Sequence, residues 1–146
     1  MNTVHFVMSD AFAGIEQHVD ELLSNNLLKN PILICNESIA SYFDKSINIY
    51  KVKNFGRRSF FGKYKLKKLI KDIDPDIIHT HGSKTSSIIS SIKTKNYKHV
   101  ATIHGVKKNK KILTIGVAFS FQKHHKIPSF NNDVKLKYIL TEKGIF

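Results

Sequence analysis

The sequence predicts an α/β domain, a parallel sheet covered by helices on both faces, and three observations carry that reading. Short apolar runs alternate with longer amphipathic stretches from residue 4 to residue 103. The 146 residues, 41% of them hydrophobic, fit one domain with a real core and exclude a disordered chain. Several apolar runs end on glycine or histidine, at the strand ends where open parallel sheets gather their ligands.

Val4–Met8 reads as a short buried first strand. After a loop from Ser9 to Ala13, Ile15, Val19, Leu22, Leu23 and Leu27 fall at helical spacing, with one inward face. Glu16 lies in the first turn, where the helix dipole favours an anion, and Asn30-Pro31 stops the helix. Ile32–Cys35 is the second strand, followed by a weaker helical stretch from Ser38 to Phe43. Ile47–Val52 mixes apolar and polar residues on both faces and is read as a third strand. Gly56 and Gly62 bracket a loop, and from Lys63 onward Leu66, Leu69, Ile70 and Ile73 mark a helix ended by Pro75. Ile77–Thr80 is a buried strand, Ser83–Ile92 a helix with Ile88, Ile89 and Ile92 on one face, and His99–Ile103 the next strand. After Lys111 the pattern weakens. Ile112–Phe119 and Tyr138–Leu140 read as strands, with a loop from Lys123 to Asp133 between them.

Lys and Arg number 24 against 11 Asp and Glu, a formal charge of +13, which points to an anionic partner. Nucleic acid, anionic lipid headgroups and phosphorylated substrates all meet that condition. Nucleic acid is not expected, because none of its recognition motifs is present. Cys35 is the single cysteine, which excludes an internal disulfide and a multi-cysteine zinc site. It follows Ile32-Leu33-Ile34, as a buried strand residue does. The N-terminus lacks the basic and apolar segments of a secretory signal, and the longest mostly apolar run, Ile112–Phe121, is about half the ~20 residues of a spanning helix. The expectation is a cytoplasmic protein, able to rest on the inner face of the membrane.

Three strand ends carry candidate chemistry. Ala13-Gly14-Ile15-Glu16-Gln17-His18-Val19 follows the first strand. Gly14 lets a ligand approach the backbone, and the free N–H groups of a helix start can face a phosphate. A single glycine without a fuller glycine pattern equally fits a plain loop. Asp76-Ile77-Ile78-His79-Thr80-His81-Gly82-Ser83 places His79 and His81 on one face of a strand. That pair can orient a hydroxyl or phosphate, or consist of one buried and one loop histidine. No carboxylate or cysteine set completes a metal site around it, so no metal is expected. Val100-Ala101-Thr102-Ile103-His104-Gly105 ends on an imidazole able to exchange a proton with a reacting group, or simply packed at a strand end. His124-His125 reads as a solvated loop pair.

Between Arg57 and Lys71 stand seven basic residues (Arg57, Arg58, Lys63, Lys65, Lys67, Lys68 and Lys71) and no acid, interleaved with Phe60, Phe61 and Tyr64. Each base near an anionic bilayer contributes ~1 kcal/mol, and exposed Phe can insert at the interface. A solvated helix face is the plainer alternative. Lys107, Lys108, Lys110 and Lys111 form a second basic cluster.

The three stations, in this order, resemble the N-terminal, acceptor-side domain of family-4 (group 1) glycosyltransferases of the two-domain GT-B type. That family shows a glycine pair followed by hydrophobic-E-x-H-hydrophobic, then D-hydrophobic-hydrophobic-H-x-H-G, then T-hydrophobic-H-G. The matching stretches are Ala13–Val19, Asp76–Gly82 and Thr102–Gly105, and the likeness runs from Met1 to about Gly105.

The resemblance implies a Rossmann-like half of a GT-B fold over residues 1–146, atypical or shortened after about residue 111. It implies retaining hexosyl transfer from a nucleotide-sugar to a polysaccharide or lipid-linked acceptor, with no metal or other cofactor. Gly14 would lie against donor phosphates, His104 near the transferred sugar as the catalytic histidine, and His79 and His81 along the interdomain cleft. Glu16, His18, Gly82 and Ser83 join them as substrate-binding positions. Ala13 replaces the family's first glycine, and Ala118 stands where relatives carry a serine. No donor-binding half with its paired-glutamate motif is found, so the chain is expected to be inactive alone, or complemented by a separate donor-domain chain. A non-catalytic module that binds a membrane or anionic glycolipid is the alternative.

Overall fold

The apolar runs of the first hundred residues become β1 (Thr3–Phe6), β2 (Ile32–Asn36), β3 (Asn48–Val52), β4 (Ile77–His81) and β5 (Lys98–Thr102). Between them lie the helices α1 (Gly14–Ser24), α2 (Phe60–Ile73) and α3 (Ser83–Ser91), and a 3-10 turn at Ala40–Tyr42. The computed structural model describes residues 2–25, 30–92, 97–103, 115–117, 119–120 and 137–146. It divides into two units, Met1–His104 and Gly105–Phe146.

In the first unit all five strands are parallel, in the order β3-β2-β1-β4-β5. The chain winds outward through α1 to β2 and β3, returns through α2 to β4, and continues through α3 to β5. This is a Rossmann-like α/β sheet flanked by helices, and the winding reverses between β1 and β4. Val4 and Phe6 face α2 and α3, and pack with Ile34, Leu66, Ile70, Ile78, Ile88 and Ile89. Val7, Leu33 and Cys35 face α1, and pack with Val19, Leu23, Ile39 and Phe43. Alternation of side chains along each strand produces the two cores.

Element boundaries differ from expectation where local contacts outweigh pattern. α2 begins at Phe60, and Gly62 sits in its first turn, not at the end of a loop. Ser59 Oγ accepts from Gly62 N–H at 3.1 Å, which starts the helix early. A Cβ on Gly62 would lie 2.3 Å from Phe55 Cγ, so the absent side chain is what lets the ring pack there. At the other end Asp74 takes a left-handed conformation (φ 47°) and donates its N–H to Ile70 O, ahead of Pro75. α1 ends at Ser24, so Leu27 lies outside the described residues.

The second unit, taken by itself, pairs β6 (Ile115–Val117) parallel with β7 (Tyr138–Thr141), and β7 antiparallel with β8 (Gly144–Ile145). β8 was not expected. It follows a two-residue turn at Glu142-Lys143, where Gly144 takes φ 130°. Residues 121–136, including the expected loop and His124-His125, lie outside the described residues, as do Ala118 and the cluster Lys107–Lys111.

Candidate functional site

Ligands of an open parallel sheet bind outside the carboxyl ends of the strands where the winding reverses, here above β1 and β4. α1 starts from the loop after β1, and α3 from the loop after β4. The two starts meet: the Cβ position of Gly82 lies 4.0 Å from Ile15 Cδ1.

The two starts are built differently. Glu16 is buried and turns back on its own helix, where its carboxylate accepts from Ala13 N–H at 3.0 Å and from the Ser9 hydroxyl. This half of a capping box places a carboxylate against the helix start, where an incoming phosphate would meet like charge. Gly14 is exposed, with nothing within 4 Å of its Cβ position, beside a shallow groove formed by Ser9, Asp10, Ala11 and Ala13. α3, in contrast, has no side-chain cap. Its N-cap Gly82 adopts φ 89°, a region that favours glycine, and donates its N–H to Thr102 O at 2.8 Å. Thr85 Oγ1 donates to His81 O at 2.6 Å and fixes the turn from strand to helix. Cations gather at this start: Arg57 Nη2 donates to Ser83 Oγ at 3.1 Å, and Lys84 Nζ bonds Asn54.

Asp10, Asn36 and Asn54 extend the rim. Asn36 donates to Asp10 Oδ1 at 3.1 Å and to Ser9 O at 2.9 Å, and Asn54 also donates to Asp10. None of these, nor Lys84, was singled out in the sequence. Each stands at or after the carboxyl end of a strand, and the parallel alignment of those ends brings them together.

One layer below, His79 and His81 share a face of β4, with ring centroids 4.2 Å apart. A third imidazole joins them. His5 of β1 is paired in register with His79, and its ring centroid lies 4.9 Å from that of His79. His5 Nδ1 and His81 Nε2 share a hydrogen bond of 3.1 Å, and His79 Nε2 bonds Thr102 Oγ1 at 2.8 Å. Burial, reinforced by the neighbouring His79, lowers the His5 pKa to about 4. The His79 pKa is lowered by burial first, and then by His18 and His99. His18 is exposed on α1. The sequence held a signal for His5, since a histidine inside an apolar strand faces the core on one side or the other. Its distance from residue 79 in sequence concealed the cluster.

The rim thus brings together Gly14, Glu16, Gly82 and Ser83, with the His79–His81 pair beneath. His104 lies outside the described residues. Asp76, the first residue of its motif, works at the opposite end of the sheet, where Oδ2 accepts from Asn2 N–H at 2.6 Å. Cys35 is buried, and burial pushes its thiol up to about 11, against the smaller opposing effect of Lys51. That favours the thiol over the thiolate at neutral pH, as in a buried structural cysteine.

Of the basic residues, Arg57 and Arg58 precede α2. Lys65, Lys67, Lys68 and Lys71 are exposed along it, and Lys63 is half-buried. Phe60 and Phe61 are 77% and 79% exposed at its start, with Tyr64 one turn on. No helix among the described residues is long and apolar enough to cross a membrane.

A family model described as glycosyl transferase 4-like matches residues 18–131. The chain belongs to that family. No curated protein and no solved structure matches it. The glycosyl transferase 4-like match spans β2 to β5, both basic clusters and the His79–His81 segment. It begins after Gly14 and Glu16, so the rim contributed by α1 rests on the geometry alone.

Proposed function

We propose that this domain is the acceptor-side half of a retaining glycosyltransferase that moves a hexosyl group from a nucleotide-sugar to a polysaccharide or lipid-linked acceptor. The observation that carries the reading is the meeting of two helix starts above the reversal of winding, in a chain of the glycosyl transferase 4-like family. The uncapped start of α3, with Arg57 and Lys84 beside it, is the better place for a phosphate. The Glu16-capped start of α1 leaves only the open backbone at Gly14 for close approach. His104 remains our candidate for the group nearest the transferred sugar, with His18, His79 and His81 along the cleft wall. Chemistry at this wall requires a donor-binding domain to face it, in the same polypeptide or in another.

The test is to incubate the purified 146-residue chain with a panel of nucleotide-sugars and lipid-linked glycan acceptors. No transfer and no tight nucleotide-sugar binding is the expected result. Turnover by these residues alone would overturn the division of labour between two halves.

The exposed Phe60-Phe61 pair at the head of a lysine-rich helix favours a second property, docking on an anionic membrane, with or without turnover. Co-sedimentation with phosphatidylglycerol vesicles should be lost when Lys65, Lys67, Lys68 and Lys71 are all changed to Glu. Failure of the unaltered chain to bind at low salt would remove the membrane from the account.

A further inference from the structure

The histidine cluster permits a reading that sugar transfer does not require. We propose that His5, His79 and His81 form a binding site for one divalent transition-metal ion, of which zinc is the representative, beneath the crevice between β1 and β4. One nitrogen from each ring can be chosen so that the three lie within 4.8 Å of one another. His5 Nδ1 and His81 Nε2 are already 3.1 Å apart. Two nitrogens sharing a tetrahedral ion at ~2.0–2.1 Å would stand roughly 3.3 Å apart, so the separation that holds a proton between these rings is nearly the one that holds a metal. The third ligand, His79, stands beside them, its ring centroid 4.2 Å from that of His81.

The surroundings fit the ion class. Three imidazoles, with no carboxylate in the cluster among the described residues, select zinc or its first-row neighbours over magnesium or calcium, which need oxygen ligands. Thr102 Oγ1 bonds one ring nitrogen of His79 at 2.8 Å, in the manner of the outer partners that orient ligating histidines. The rings stand on two adjacent parallel strands in direct register, so the sheet itself sets their spacing. Three protein ligands leave a fourth position for water or an oxygen of a bound molecule. The proposal stands apart from the transferase reading: a metal bound by an inactive chain, or sugar transfer without metal, would separate the two.

The experiment titrates the full chain, freed of metal by chelator, with Zn²⁺ by calorimetry and with Co²⁺ by visible absorption. The expected result is one ion per chain, the intense d–d bands of a tetrahedral cobalt site, and a higher melting temperature with zinc. His79→Gln should weaken binding by more than the roughly 10–100-fold that loss of an outer partner costs, and Thr102→Val by about that amount. Joint substitution of His124→Ala and His125→Ala, away from the cluster in sequence, should leave binding unchanged. Unaltered affinity in His79→Gln, loss of binding in the His124→Ala/His125→Ala variant, or absence of stoichiometric binding would each overturn the site. Should His79→Gln fail to fold, X-ray absorption of the zinc-loaded natural chain decides the matter: fewer than three imidazole ligands overturns it.

Discussion

The two faces of the five-stranded sheet are made from the same strands and differ in what covers them. On one face α2 and α3 lie over Val4, Phe6, Ile34 and Ile78, and the packing is almost wholly aliphatic and aromatic. On the other face α1 and the 3-10 turn cover Val7, Leu33 and Cys35. The positions alongside, on β1, β4 and β5, hold His5, His79, His81 and Thr102, with Val100 46% exposed. β4 therefore turns Ile78 and the hydrogen-bonded Thr80 toward α2 and α3, and lines its opposite face with the imidazoles of His79 and His81. Where no described helix supplies an apolar partner, the buried polar groups bond one another, which keeps their desolvation tolerable. One face stores stability. The other carries chemistry.

Mutations can break that contrast, and the largest effect belongs to the covered face. Phe6→Ala should cost about 3–5 kcal/mol of unfolding free energy in urea, because Phe6 is completely buried between β1 and the α2–α3 layer. A loss under about 1 kcal/mol would mean that this face is not the mechanical core. Next comes the pH response of the histidine face, measured with chelator present. The His5 pKa falls from 6.5 to about 4 on folding, so between those values the unfolded chain takes up a proton that the folded chain refuses. Stability should be complete above pH ~6.5 and fall as the pH drops toward 4, by something on the order of 3 kcal/mol. His5→Gln should flatten the slope and Ile78→Val should not; an unchanged slope in His5→Gln would remove the histidine face from the acid response.

A smaller effect tests the fit of α2 to the sheet. Gly62→Ala places a methyl against the Phe55 ring and should destabilise by about 1–3 kcal/mol, with partial recovery in the double variant carrying Phe55→Leu. Equal stability of Gly62→Ala and the natural chain in thermal melts would count against that contact. The smallest effect is expected at Gly14. With nothing within 4 Å of its Cβ position, Gly14→Ala should stay within about 0.5 kcal/mol of the natural chain. Any loss of ligand binding in that variant, assayed with a donor half supplied, then reports on close approach at the rim and not on folding.

Much of the fold was legible in order. The strands at Val4, Ile32, Ile77 and His99, and the helices α1, α2 and α3, are carried by local apolar runs and helical spacing. Boundaries were less legible. The start of α2 depends on the Ser59 cap and on the Gly62–Phe55 contact, and periodicity registers neither. The pairing of His79 and His81 on one face follows from strand alternation alone. Their union with His5, seventy-four and more positions away in sequence, follows from β1 and β4 being neighbours.

The sequence by itself determined an alternating α/β chain, the buried state of Cys35, a strongly basic charge and an ordered set of strand-end motifs. These are local properties, written in residues a few positions apart. Only the tertiary structure decided that the start of α3 lies beside Arg57 and against the start of α1. It alone also decided that three histidines meet beneath the two. Parallel pairing sets the ends of distant strands side by side, and no local periodicity encodes which strand becomes the neighbour of which.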